Sequence, residues 1–144
     1  MNYNNYKIIL LGDSSVGKKS LIERYINNNF EKNFIEQINI NYKSKIIHDK
    51  KIKLSFWETE KQENFDEIIK VYYRNCDCYL ILFDITNQES FSHVEKWLDN
   101  IKIYSNVANP FIILIGTKAD LSNNRVVKNK NIDIFIFRNK LEFY

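Results

Sequence analysis

Short apolar runs alternate with amphipathic segments along most of this chain. The runs at residues 7–11, 79–83 and 111–115 predict buried strands, because parallel strands covered on both faces carry nearly continuous apolar side chains. Apolar residues spaced three and four apart predict helices; they are Leu21, Ile22, Tyr25 and Ile26, then Phe65, Ile68, Ile69 and Tyr72, then Phe91, Val94, Leu98 and Ile101. The alternation predicts an α/β domain with a mostly parallel sheet flanked by helices.

Two further strand-like segments, residues 38–47 and 51–57, are joined by a short polar sequence and predict an antiparallel hairpin. Later in the chain, polar residues interrupt the alternation of strands and helices. The apolar segment Ile132–Phe137 that follows them predicts one more strand. We therefore expect residues 1–127 to form the domain and residues 128–144 to form a divergent tail with one strand.

The composition fits one soluble globular domain. The 144 residues are 44% hydrophobic, and the formal net charge of +3 is too small to indicate a nucleic-acid partner. No apolar run reaches the ~20 residues that a membrane span needs. Cys76 and Cys78 are separated by one residue, which is poor spacing for a disulfide, and no further ligands accompany them for zinc. We expect reduced thiols and a cytoplasmic location.

A phosphate-binding loop is indicated between the first predicted strand and the first predicted helix, in the sequence Gly12-Asp13-Ser14-Ser15-Val16-Gly17-Lys18. In such a loop the glycines supply the turn, backbone N–H groups surround the phosphates, and the lysine adds positive charge. The motif continues with Ser or Thr, whose hydroxyl binds Mg²⁺. Lys19 stands there instead, and an ammonium has no acceptor for a metal. Ser20 points about 100° further round the helix, so it is a poor replacement.

Several segments beyond the loop resemble a Rab-type small GTPase of the Ras superfamily, from about residue 6 to residue 127. They are Lys53-Leu54-Ser55-Phe56-Trp57, Tyr72-Tyr73-Arg74, Phe83-Asp84-Ile85-Thr86-Asn87-Gln88-Glu89-Ser90-Phe91 and Ile115-Gly116-Thr117-Lys118-Ala119-Asp120. The resemblance implies a P-loop GTPase fold that binds GTP or GDP in vesicle traffic. It also implies effectors and exchange factors as partners.

The last of these segments resembles the guanine-recognition motif of the family. A carboxylate at Asp120 can accept both N–H donors on the Watson–Crick edge of guanine, and adenine offers no matching pair. Lys118 has a long alkyl stem that can lie across the base, and Thr117 replaces the Asn that is usual in the family. The resemblance also places Phe30 where the family stacks an aromatic ring on guanine. A core or half-exposed role for Phe30 is the alternative.

The resemblance is weakest where the family senses Mg²⁺ and the γ-phosphate. Lys19 replaces the P-loop hydroxyl, and Gln37 replaces a threonine of the first switch. Glu58 and Lys61 replace the Asp and Gly of the second switch, whereas Gln62 remains where the family positions the attacking water. Glu58 and Ser20 are the candidate metal ligands, and we expect them to hold Mg²⁺ imperfectly. One hypothesis is a salt bridge from Lys19 to Glu58 through the metal position, and solvated side chains are the alternative.

The tail lacks the last guanine-contacting loop of the family and is too short for both of its final helices. We therefore expect an incomplete domain with apolar sheet surface exposed, and no prenylation motif, since no cysteine follows Cys78. Two interpretations stay open. The chain is a Rab-like guanine-nucleotide-binding protein with slow or impaired GTP hydrolysis, or it is a non-hydrolysing interaction protein or degenerate truncated product.

Overall fold

The computed structural model describes residues 2–28, 40–59 and 71–143. Six strands and four α-helices alternate through these ranges. In chain order they are β1 (Asn4–Leu11), α1 (Lys18–Asn27), β2 (Ile40–Ile47), β3 (Ile52–Thr59), β4 (Cys78–Asp84), α2 (Gln88–Ser92), α3 (Val94–Tyr104), β5 (Phe111–Thr117), a 3₁₀ helix (Ala119–Asn124), α4 (Asn129–Asn139) and β6 (Glu142–Phe143). The predicted helix over residues 65–72 lies mostly outside the described residues.

The strands form one sheet in the order β2-β3-β1-β4-β5-β6. Only β2 and β3 pair antiparallel among these strands, so the predicted hairpin and the mostly parallel α/β sheet are confirmed. β3 pairs with one edge of β1 and β4 pairs with the opposite edge, so the strand order changes direction at β1. Ligands of open α/β sheets bind at such a reversal, beyond the carboxyl ends of the strands.

Alternate residues of the central strands pack into two separate cores. On one face, Ile9, Ile81 and Phe83 pack with Leu98 and other apolar residues of α3. On the other face, a smaller core contains Leu10, Val16, Ile22, Phe56 and Leu82. The period of two along β1 and β4 therefore gives each face of the sheet its own core, as a sheet covered on both sides requires.

The predicted helix containing Phe91, Val94 and Leu98 is two helices in the structure, α2 and α3, which meet at His93. Asn87 caps α2, because its side-chain oxygen accepts hydrogen bonds from the backbone N–H groups of the first turn at 3.0 and 3.3 Å. The junction brings His93 close to the loop after β1.

The predicted strand at Ile132–Phe137 is wrong, because these residues lie in α4. The helical spacing of three and four residues places Ile132, Phe135 and Ile136 on one face, and all three pack into the larger core. The Phe135 ring lies 5.6 Å from that of Phe91. The strand of the tail is the short β6, which pairs with β5.

Two smaller expectations concern the cysteines and the sheet surface. Cys76 and Cys78 are free, as predicted, and burial raises the pKa of Cys76 to about 11, so that thiol stays protonated at neutral pH. On the sheet face packed by α1, Leu80 and Ile115 are partly buried and pack against the smaller core, and the exposed apolar sheet surface stays a prediction. No described helix is long and apolar enough to cross a membrane.

Candidate functional site

The loop between β1 and α1 depends on glycine at its first position. Gly12 has a φ of +139°, and a Cβ there would lie 2.4 Å from the carbonyl oxygen of Leu82 on the neighbouring strand. Gly17, directly before α1, has a φ of +103° and meets only ordinary van der Waals neighbours. Both positions therefore favour glycine for its backbone conformation, and Gly12 also has no room for a side chain. The loop predicted from the sequence has the glycine requirement of a phosphate cradle.

Lys18 lies across this loop. Its Nζ donates hydrogen bonds to the carbonyl oxygens of Gly12 at 2.9 Å and Asp13 at 2.8 Å, and the residue is buried. A buried ammonium thus stands beside the first turn of α1, whose backbone N–H groups receive no side-chain cap from Gly17. The lysine charge and the helix dipole both attract an anion to the same point.

The other predicted loop residues differ in burial. Ser14 and Ser15 are exposed, whereas Val16 is buried in the smaller core. Ser15 has a φ of +63°, so the loop contains a left-handed turn at a residue that is not glycine. Ser20 is half-buried in the first turn of α1.

Thr117 joins the loop to the segment that the sequence assigned to base recognition. Its hydroxyl lies 2.5 Å from the carbonyl oxygen of Val16 in the loop and 2.9 Å from that of Phe83 on β4. The single hydroxyl hydrogen is therefore shared between two backbone acceptors on different elements. This contact fixes the end of β5 against the phosphate loop, and it brings the two predicted halves of the site together.

Lys118 and Asp84 form an ion pair beside this contact. Lys118 Nζ lies 2.6 Å from one carboxylate oxygen of Asp84, and the other oxygen accepts hydrogen bonds from the Thr86 backbone N–H at 2.8 Å and its hydroxyl at 2.7 Å. Burial disfavours ionisation of Asp84, but these hydrogen bonds outweigh it and hold its pKa below the usual value. The pairing fixes the ammonium of Lys118 and so orients the alkyl stem.

Asp120 lies in the 3₁₀ helix that follows Lys118, and its side chain is exposed. The helix begins after a left-handed turn at Lys118, which has a φ of +61°. A hydrogen bond of 2.8 Å from the backbone N–H of Leu121 to the carbonyl oxygen of Lys118 closes this turn. The carboxylate that would recognise a base is thus open to solvent at the carboxyl edge of the sheet.

His93 contacts the loop from the α2–α3 junction, which the sequence did not predict. Its Nδ1 lies 2.6 Å from a carboxylate oxygen of Asp13. The His93 side chain is half-exposed and paired with Asp13. The partners are 80 residues apart in sequence, so no local pattern could have identified the contact.

The expected metal position contains a group of charged side chains. Glu58 is buried at the end of β3, and Lys19 is half-buried in the first turn of α1. Lys43 of β2 forms an ion pair with Glu23 of α1. Burial lowers the pKa of Lys43, the charge of Lys19 lowers it further, and Glu58 opposes the shift. Lys19 and Glu58 therefore both lie close enough to Lys43 to act on its ionisation.

These residues do not fit an ordinary Mg²⁺ site. The hydroxyl ligand of the motif is absent, and Ser20 lies one residue further along α1 than that ligand. Mg²⁺ requires oxygen ligands in near-octahedral geometry, which an ammonium cannot supply. Within residues 2–28, 40–59 and 71–143, no group of three or more His, Cys, Asp and Glu side chains could hold a metal ion. Four other predicted site residues, Phe30, Gln37, Lys61 and Gln62, lie outside the described residues.

Comparison with known proteins agrees with this geometry. A family model described as "Ras family" matches residues 7–144. The chain belongs to the Ras family. It is 44% identical over 124 residues to human "Ras-related protein Rab-3D", covering 85% of this chain and 56% of that protein. It is 40% identical over 127 residues to human "Ras-related protein Rab-3A", covering 87% and 57%.

The similarity to Rab-3 proteins makes this chain a Rab-type member of the Ras superfamily, as its motifs indicated. The chain spans little more than half the length of these curated relatives. In this Rab-type domain Thr117 contacts the loop between β1 and α1, so the segments predicted to bind phosphate and base lie together. The contacts that the sequence did not reveal are those made by Asp84, His93 and Lys43 with partners on other elements.

Proposed function

We propose that this chain binds a guanine nucleotide, GTP or GDP, across the phosphate loop and the Thr117–Asp120 segment. The contact of Thr117 with both Val16 and Phe83 carries the proposal, because it joins a phosphate-binding half and a base-binding half into one rigid unit. A nucleotide has a phosphate end and a base end, so it requires both halves at a fixed separation. Preorganisation of this kind lowers the entropic cost of binding.

Each half has a distinct task in this proposal. Lys18 and the backbone N–H groups at the start of α1 would bind the phosphates. Asp120 would accept the N–H donors of guanine, and the stem of Lys118, fixed by Asp84, would lie against the base. A carboxylate that accepts two hydrogen bonds from guanine discriminates against adenine, because adenine would leave it without those donors.

Hydrolysis of GTP by this chain would be slow. Gln62 would position the attacking water, but Gln37 and Lys61 depart from the residues with which the family senses the γ-phosphate. The role in vesicle traffic, the effectors and exchange factors as partners and the cytoplasmic location all follow from the Rab-type resemblance, and they belong to the proposal.

The nucleotide content of the purified protein tests this proposal. The protein is denatured, and the released nucleotides are separated by anion-exchange chromatography and quantified against the protein. We expect GDP or GTP near one equivalent and little adenine nucleotide. Asp120→Ala should lose the bound guanine nucleotide, whereas Asp133→Ala, an exposed aspartate on α4, should retain it. Folded protein that binds no guanine nucleotide, even when it is added, would contradict the proposal.

One observation favours the alternative of a non-hydrolysing interaction protein. The hairpin face opposite α1 carries an open pocket of about 370 Å³ whose lining includes Tyr42, Trp57 and Lys7. The rings of Tyr42 and Trp57 are 4.9 Å apart, and Tyr42 is 46% exposed. Exposed aromatic side chains are enriched at protein interfaces. A folded protein without nucleotide binding would support this second function over the first.

A further inference from the structure

We propose that this chain neutralises the phosphates of its nucleotide with the ammonium of Lys19 in place of a divalent cation, so that binding does not require Mg²⁺. The inference rests on the proposed nucleotide binding and concerns how the same site achieves it. It begins from the observation that the residue of the motif whose hydroxyl would bind the metal is a cation.

The fold places four charged side chains between α1 and the β2–β3 hairpin. Lys19 and Glu23 are one helical turn apart, so they share a side of α1. Lys43 lies opposite Phe56 in the hairpin, and Glu58 is two residues further along the same strand, so the three side chains share a sheet face. That face packs against α1, as the contact of the Phe56 ring with Tyr25 at 5.6 Å indicates.

The charges in this cluster alternate in sign. Lys43 is paired with Glu23, and it is close enough to Lys19 and Glu58 for both to act on its ionisation. Within the cluster, the Lys43–Glu23 pair neutralises itself. Lys45, the next residue on the same face of β2, donates a hydrogen bond of 2.6 Å to the carbonyl oxygen of Tyr25 and so holds the hairpin against α1. These contacts hold the hairpin against the helix.

A divalent cation would be disfavoured at this position for two reasons. It would lack the hydroxyl ligand, and the ammonium of Lys19, which stands in place of that ligand, would repel it. Unlike a divalent cation, the ammonium of Lys19 needs no oxygen ligands from the protein. Its three N–H groups can donate hydrogen bonds to phosphate oxygens. The second residue of α1 also lies within the first turn, where the helix dipole favours an anion.

The test measures the affinity of the purified protein for GDP carrying a fluorescent group on its ribose, with Mg²⁺ present and with EDTA in excess. We expect the two dissociation constants to agree within about twofold, since a charge fixed in the chain is indifferent to the chelator. A loss of about tenfold or more in EDTA would overturn the inference and leave the proposed nucleotide binding intact. Failure to bind in both solutions would overturn both.

Variants at Lys19 give a second measurement. Lys19→Ser restores the hydroxyl of the motif and removes the charge, so we expect weaker binding in EDTA by about tenfold and partial recovery when Mg²⁺ is added. Lys19→Arg keeps the charge and should retain binding in EDTA. Lys130→Ser, an exposed lysine on α4, is the matched control and should bind like the parent chain. Equal affinity of Lys19→Ser and the parent in EDTA would contradict the role of Lys19.

Discussion

Replacement of Thr117 by valine tests whether its hydroxyl holds the two halves of the site together. Valine has nearly the same shape as threonine but no donor, so Thr117→Val leaves the carbonyl oxygens of Val16 and Phe83 without that hydroxyl. A buried acceptor that loses its partner costs about 1–3 kcal/mol. Because Thr117 is only partly buried and water can replace some of the loss, we expect a decrease of about 1–2 kcal/mol in the free energy of unfolding.

The assay is urea unfolding followed by tryptophan fluorescence, together with the dissociation rate of fluorescent GDP. In a thermal unfolding scan of the 144-residue chain, a decrease of this size should lower the Tm by about 3–7 °C. Dissociation should be faster in Thr117→Val, because the loop and the base segment are no longer fixed to each other. Thr117→Ser retains the hydroxyl and should preserve the dissociation rate.

Ser92→Ala provides a control for the loss of a hydroxyl. The Ser92 hydroxyl donates to the carbonyl oxygen of Gln88 within α2 and is exposed, so its removal should change stability by less than about 0.5 kcal/mol. If Thr117→Val unfolds and releases nucleotide like the parent chain, the hydroxyl does not join the two halves, and the argument for a preorganised site is refuted.

Three further predictions concern the same loop and its supports. Gly12→Ala should lower the free energy of unfolding, measured in urea, by about 3 kcal/mol or more, because strain at positive φ adds to a clash with the carbonyl oxygen of Leu82. Gly17→Ala should lower it by only about 1–2 kcal/mol, because it adds strain without a clash. Asp84→Asn should cost about 1–3 kcal/mol at neutral pH. The pKa of Asp84 is lowered in the folded chain, so ionised Asp84 stabilises the fold at a pH above its unfolded pKa. That stabilisation is lost as the pH falls through the folded pKa. The unfolding curves of Asp84→Asn and the parent chain should therefore converge in acid. His93→Ala should speed the release of fluorescent GDP with a change in unfolding free energy of no more than about 1 kcal/mol, since its pair with Asp13 is partly exposed.

The sequence identified the parts of the site that depend on backbone geometry. Gly12 and Gly17 mark a loop that needs positive φ, and their position between a strand and a helix is readable from hydrophobic periodicity. The segment Ile132–Phe137 shows the limit of that method. Its apolar residues satisfy both the strand period and the helical period, and only packing against the larger core selects the helix. Contacts such as His93 with Asp13 join residues far apart in the chain, and no spacing rule predicts them.

The two ends of the site are supported in different ways, and this difference bears on how the chain would respond to its nucleotide. At the base end, the Thr117 hydroxyl contacts the carbonyl oxygen of Phe83 on β4, and Lys118 pairs with Asp84 at the end of the same strand. These contacts hold the base segment against the central strands of the sheet. At the phosphate end, α1 is fastened to the hairpin by the Lys43–Glu23 pair and by Lys45, which are contacts of the chain with itself. A switch responds to a ligand only when the ligand contributes different free energies to its two states. Contacts of the chain with itself that are the same with GDP and with GTP do not distinguish the two states. Under the proposed function, the Lys43–Glu23 pair and Lys45 would therefore support the nucleotide site rather than report GTP hydrolysis.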